Sequence, residues 1–370
     1  QVGLLWPVIL QSGNIEIFFA VPNFKWTNNA KGNAGVTCSI IGLQKTINNY
    51  KKLIFTNNKI INASNINAYL TDGVDIIVQK RMIPLSSLPK MVSGNMALDD
   101  GHLMLTENEK NDVISKFPSS EKYIRETTGA KEFIRGLKRY CLWIENDELE
   151  EAMKIPFISK RVNDCRVFRE NGGEVAKTLA NRSHQFRYRH QPLDSQIIIP
   201  LTSSERREYI PMGFLGDKVV VQQSAQVLYD PEPFVFGVIN SQMHMVWVKA
   251  VGGRMRTDIS YSVTVCYNTF PFPEINQKQK EQINLHVFEV LEEREKHSSK
   301  TMAELYDPNK MPKGLKEAHH QLDLAIERCY RLKPFESDTE RLEYLFKEYE
   351  KMINKNTLLE KPKRTRKKKA

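Results

Sequence analysis

Residues Asn23–Val36 read NFKWTNNAKGNAGV, and the apolar run Gly3–Leu10, GLLWPVIL, stands a short way upstream. Val2–Leu10 is apolar and stops near Ser12-Gly13, as a helix does. Ile15–Val21 and Ala34–Leu43 are rich in β-branched and aromatic residues, and the stretch joining them carries Asn28, Asn29, Gly32 and Asn33. That order predicts helix, strand, polar loop, strand. Two strands and one helix cannot bury a core alone. Residues 1–45 therefore need a larger sheet or must lean on residues beyond 45. The chain opens on Gln1 in mid-pattern rather than on Met, so the expectation is a piece of a longer protein.

Working outward, residues 46–275 read as mixed α/β. Asn57-Asn58 and Asp72-Gly73 look like turns. Thr106 followed by Glu109 forms a capping-box pattern that starts a helix running to about Phe117. Lys138–Ile144, Gln196–Leu201, Lys218–Leu228 and Val263–Phe270 read as strands. Phe157–Glu170 reads as a helix stopped by Gly172-Gly173, and Phe234–Val251 as one buried helix ended by Gly252-Gly253. Residues 276–355 read as helical. There Leu322, Ala325, Ile326 and Cys329 fall on one packed face.

The 370 residues suffice for two or three domains, and 41 % apolar with 26 % charged residues is ordinary for a globular chain. No apolar run approaches the roughly 20 residues needed to cross a bilayer. Five scattered cysteines, with no close pair, argue against a disulfide framework or a zinc knuckle and for a reducing, cytoplasmic setting. Of the net charge of +10, the tail Lys361–Lys369 holds seven basic residues, leaving about +3 for the rest. Such a run reads as a disordered tail with non-specific phosphate attraction.

GLLWPVIL and NFKWTNNAKGNAGV together resemble the end of the methyltransferase domain in MmeI-like (type IIL/IIG) restriction–modification enzymes. The resemblance extends through SGNMALDDGHLML (Ser93–Leu105), EKYIRETTGAKEFIRGLKRYCLWI (Glu121–Ile144), SSERREYIPMGFL (Ser203–Leu215) and INSQMHMVWVKAVGGRMRTDISYS (Ile239–Ser262). It ends with YNTFPFPE (Tyr267–Glu274) and ERCYRLKPFESDTERLEYLFKEYE (Glu327–Glu350). It implies an α+β chain in four parts. Residues 1–45 would be the last helix and antiparallel hairpin of a class I methyltransferase sheet, and 46–275 a mixed α/β target-recognition domain. Residues 276–355 would be a small helical C-terminal domain, and 356–370 a basic tail. It also implies a parent enzyme that methylates adenine N6 with S-adenosylmethionine, with double-stranded DNA and the rest of the methyltransferase domain in cis as partners.

A base-methylating enzyme must swing its target out of the duplex and stack it. On that reading Phe24 and Trp26, in the connection between two strands, supply aromatic faces worth about 1–3 kcal/mol per base, and Lys25 and Lys31 hold neighbouring phosphates. Covering a sheet edge would account for Phe24 and Trp26 equally.

Direct readout favours Arg, Lys, Asn or Gln on base edges. Arg182, Arg187 and Arg189 crowd into RSHQFRYR with His184 and two aromatics, a stretch that suits either a loop entering a groove or an ordinary solvated loop. Lys249, Arg254 and Arg256 follow the buried helix across Gly252-Gly253, where glycines admit close backbone approach. Asp258, Tyr261 and Ser262 come next and are candidates for base contacts; the alternative for this cluster is a helix terminus offset by cationic side chains. Arg206 and Arg207 in SSERREY are weaker candidates, with pairing to Glu205 or Glu208 expected. Met243, His244, Met245 and Trp247 read as core, and His319-His320 as solvated surface.

The glycine-rich S-adenosylmethionine turn and the Asn/Asp-Pro-Pro-Tyr/Phe motif are not found, and the sequence contains no Pro-Pro dipeptide. No catalytic, cofactor-binding or metal-binding residue is therefore expected here, and this chain alone is expected not to methylate. Two other readings remain open from the residues. One is a stand-alone DNA-binding specificity module; the other is a scaffold whose lysine tail binds acidic partners.

Overall fold

A computed structural model describes residues 2–10, 14–26, 36–46, 51–56 and 59–359. The chain divides into two compact units, each assembled from separated stretches. One draws on Gln1–Leu88, Ser241–Gln282 and Asp323–Ala370, the other on Pro89–Asn240 and Ile283–Leu322.

The first unit opens with helix Val2–Leu10, which buries Trp6. Strand Ile15–Trp26 pairs antiparallel with Val36–Lys45 and parallel with Lys52–Phe55, which in turn pairs antiparallel with Ile60–Ala63. The expected hairpin is thus half of a four-stranded sheet. It does lean on residues beyond 45, closing over a core of Trp6, Ile17, Ala20, Ile54 and Ile66. The first strand also runs further than expected. Phe24 lies inside it, opposite Cys38, rather than in the connection. The Asp72-Gly73 turn is held by the Asp72 carboxylate, which accepts the Ser64 and Asn65 amides at 3.0 and 3.2 Å.

The expected single helix 234–251 is two helices, Pro233–Ile239 and Gln242–Val251. Ser241 interrupts it because its hydroxyl accepts the His244 amide and caps a new helix. Met243, His244, Met245 and Trp247 are core, as read from the sequence. Trp247 packs against Phe346 and Tyr349 of helix Asp338–Leu359, each with ring centroids 5.6 Å away.

The expected strand 263–270 begins instead as a π-helical turn, Val263–Tyr267. Its β-branched residues favour a strand locally, but tertiary contacts decide otherwise. Asn268 donates its amide to the Val263 carbonyl and its side chain to the Arg81 carbonyl, while the Arg81 amide donates to Thr264. Cys266 and Tyr267 are thereby driven fully inward.

The second unit holds two four-stranded sheets. In one, Val220–Val221, Ile124–Thr128, Arg139–Leu142 and Met104–Leu105 lie side by side; in the other, Gly213–Gly216, Ser195–Pro200, Ala225–Tyr229 and Val92–Ser93. The expected strand 218–228 is split between them. A turn with the Ala225 amide on the Gln222 carbonyl (3.0 Å) passes the chain from one sheet to the other. Helix Glu107–Lys116 starts at the predicted capping box, with Thr106 and Glu109 satisfying each other's amides. Helix Pro156–Glu170 buries Ile158, Val162 and Cys165 into a core with Leu103, Leu105, Tyr123, Leu142 and Ile144. The helical C-terminal region appears as helices Gln277–Glu295, Lys313–Tyr330 and Asp338–Leu359. In the second unit, an added Cβ on Gly237 would stand 2.6 Å from Ile283 and 3.0 Å from Val287, so that glycine is where the Pro233–Ile239 helix meets its neighbour.

Candidate nucleic-acid interface

Helix Gln242–Val251 stops at Gly252, where a Cβ would lie 2.5 Å from the Val248 carbonyl oxygen. The chain then forms a hairpin of Gly253–Met255 against Asp258–Ser260, with Arg254 opposite Ile259 and Met255 opposite Asp258. Its two-residue turn holds Arg256 at φ +59°, a left-handed conformation that costs a non-glycine residue about 1–2 kcal/mol. Arg254, Met255, Arg256 and Asp258 are exposed, whereas Ile259 and Tyr261 are buried. Arg254 donates to the Lys249 carbonyl at 3.3 Å. Among the described residues, no carboxylate pairs with Lys249, Arg254 or Arg256. The hairpin therefore presents cations outward on a strained but anchored backbone.

Tyr261 does not join that surface. It is 2 % exposed, and its hydroxyl lies 2.9 Å from His244 Nε2. Strand alternation explains the correction: Ile259 and Tyr261 share the inward side. Burial raises the Tyr261 pKa well above the usual range, so the phenol stays neutral and anchors the hairpin. Ser262 is half-buried, its amide on Cys266 Sγ and its hydroxyl 3.1 Å from Thr264 Oγ1, and it opens the π-helical turn.

The RSHQFRYR stretch is a packed ledge rather than a free loop. His184 and Phe186 are buried. Arg189 pairs with Glu145 at 2.7 Å and lies over Trp143, 4.4 Å from the ring centre. Arg182 donates to the Arg187 carbonyl, and Arg187 lies over Tyr188. Burial, with Arg189 and Arg169 nearby, pushes the His184 pKa down to about 4. Beneath the ledge is a residue that sequence reasoning missed. Arg169 is 0 % exposed and donates to five backbone carbonyls, those of Ala97, Leu98, Leu179, Arg182 and Gln185, at 2.7–3.0 Å. Its signal was present in the buried stripe Ile158, Val162, Cys165, Arg169, an arginine at apolar spacing.

Arg206 is exposed and Arg207 half-buried, while Glu208 pairs with Lys316 at 3.2 Å. Phe24 is half-buried; the side chains of Lys25 and Trp26, and all of Lys31, lie outside the described residues. His319, expected on the surface, is 0 % exposed, stacked on Tyr209 and 2.8 Å from the Tyr306 hydroxyl. His320, beside it, is exposed. Among the described residues there is no metal-ligating cluster, and no helix is long and apolar enough to cross a membrane.

The family profile described as "MmeI, target recognition domain" matches residues 72–274, more than half of the chain and all of the hairpin. The chain belongs to the MmeI family. The "MmeI, C-terminal domain" profile matches residues 275–357 of this MmeI-family chain, and the "MmeI, DNA-methyltransferase domain" profile matches residues 1–56. DNA methyltransferase A of Bacillus subtilis (strain 168) is 42 % identical over 356 residues, which are 96 % of this chain and 40 % of that protein. A solved structure of the type IIL restriction–modification enzyme MmeI in complex with DNA matches at a TM-score of 0.85 and 38 % identity, covering 96 % of this chain and 48 % of that one. The MmeI-family chain thus spans less than half the length of either relative. The methyltransferase family to which residues 1–56 match uses S-adenosylmethionine. The buried residues of the 1–56 stretch are Trp6, Ile17, Ala20 and Ile54 together with Lys52, whose ammonium pairs with Glu16 at 2.9 Å.

Proposed function

We propose that this chain is the sequence-reading part of a site-specific adenine-N6 DNA methyltransferase of a restriction–modification system. A catalytic half in cis would bind S-adenosylmethionine and transfer the methyl group. The observation that carries this reading is the exposed hairpin 253–260, inside the stretch matched to the target-recognition profile, with arginines unpaired by carboxylate. Phosphate contacts position a duplex and base contacts specify it. Arg254 and Arg256 have the donor geometry for guanine O6 and N7, and Asp258 can accept from cytosine N4. Arg206 and Arg207, and the outer edges of Arg182 and Arg187, are assigned supporting contacts, and Phe24, Lys25, Trp26 and Lys31 the flipped adenine. A cis partner is supported by helix Val2–Leu10, which leaves Leu4 and Val8 83 % and 77 % exposed on one side. The division at 45, 275 and 355 is kept as part of the proposal.

The test is selection from a random pool of duplexes with the purified chain. A single enriched word, matching the methylated word mapped in the genome of a host carrying the intact gene, is the expected result. A pool left unsorted would end the reading. The same preparation, given S-adenosylmethionine and that duplex, should transfer no methyl group.

A further inference from the structure

A second positive surface lies in the other unit, within the EKYIRETTGAKEFIRGLKRYCLWI stretch, and the hairpin reading makes no use of it. Helix Ala130–Arg135 begins after Gly129 and ends at Gly136, which sits at φ +65°. Lys131 and Arg135 stand one turn apart on it, and Lys138 follows the left-handed glycine; all three are exposed. An added Cβ on Gly136 would lie 3.5 Å from the Thr301 methyl, which brings the exposed Lys300 alongside. The acids nearby are already engaged. Glu132 accepts the Gly129 amide and pairs with Arg139 at 3.3 Å, and Glu304 accepts both the amide and the hydroxyl of Thr301. Among the described residues, Lys131, Arg135, Lys138 and Lys300 have no carboxylate partner.

We infer that this ridge binds the phosphate backbone of duplex DNA outside the recognised word. The inference rests on the DNA-reading proposal. Lys131 and Arg135 are separated by about 6 Å along the helix axis. Cations one turn apart, with Lys138 and Lys300 beside them, suit the repeating phosphates of a polyanion better than a lone carboxylate. Contacts to phosphate carry no sequence information, so the contribution of this ridge is expected on every duplex alike.

The experiment compares the chain with the variant Lys131→Gln/Arg135→Gln/Lys138→Gln on two duplexes, one carrying the selected word and one shuffled, across a salt series. Each lost phosphate contact lowers the slope of log K against log salt by about 0.9. The expected result is a slope shallower by about 2–3 on both duplexes, with their affinity ratio and the melting temperature unchanged. An unaltered slope would overturn the inference. A loss confined to the selected word would also overturn it, because the ridge would then be reading bases. Should the unmodified chain bind both duplexes equally, the hairpin reading fails, while a shallower slope in the variant still upholds the ridge. Binding to neither duplex would refute both.

Discussion

Arg169 shows how an arginine can serve architecture rather than recognition. Its guanidinium is wholly buried and meets only carbonyl oxygens, from residues 97–98 on one side and 179–185 on the other. Replacing it with methionine would leave several of those acceptors dry, at about 1–3 kcal/mol each. Urea unfolding of Arg169→Met should show a loss of at least about 3 kcal/mol, and a loss below about 1 kcal/mol would mean that water takes the arginine's place. The buried histidines make a second prediction. Burial pushes His244 down to about 3 and His184 to about 4, and it lowers His319 well below the ordinary value. The unfolded chain regains pKa values near 6.5, so below that pH it takes up protons that the folded state refuses. Stability is then full above pH 6.5 and falls as the pH drops toward 4, by up to about 1.4 kcal/mol per pH unit for each histidine. Urea midpoints between pH 7 and pH 5.5 should fall accordingly; a flat profile would contradict the neutral assignment.

At the scale of elements, the sequence was most informative where local chemistry decides. Thr106 and Glu109 marked a helix start because both partners of the cap are three residues apart. It was least informative where a partner distant in the chain decides. Val263–Phe270 carries strand-forming residues, yet the Arg81 backbone bonds into it and a π-helical turn results. Residues 218–228 read as one strand because nothing local reports that two sheets share them. The hairpin's glycines were legible, and the close packing at Gly252 is testable. Gly252→Ala would push a methyl to within 2.5 Å of the Val248 oxygen, so the hairpin must shift. We expect a stability loss of about 1–3 kcal/mol, together with weaker selection of the DNA word. Unchanged selection would show that the hairpin's position is not critical.

For the whole molecule, the candidate site was half legible. Lys249, Arg254 and Arg256 were visible in sequence because a glycine break follows a buried helix. Arg182, Arg187 and Arg189 looked similar, but the Glu145, Trp143 and Arg169 that engage that ledge cannot be read from a stretch of eight residues. Tyr261 was misplaced because the inward phase of its strand is set by Ile259 and His244. Net charge is a poor guide here, since most of the +10 resides in Lys361–Lys369. Deleting that tail should weaken binding to all duplexes and leave selection of one word intact; loss of selection would assign recognition to the tail instead. The most direct measurement takes Arg256→Ala and a panel of duplexes in which each base pair of the selected word is changed in turn. The account predicts a cognate affinity lower by about 1–3 kcal/mol, with tolerance gained at one position and strictness kept at the others. An equal loss on every duplex, or no loss at all, would contradict it.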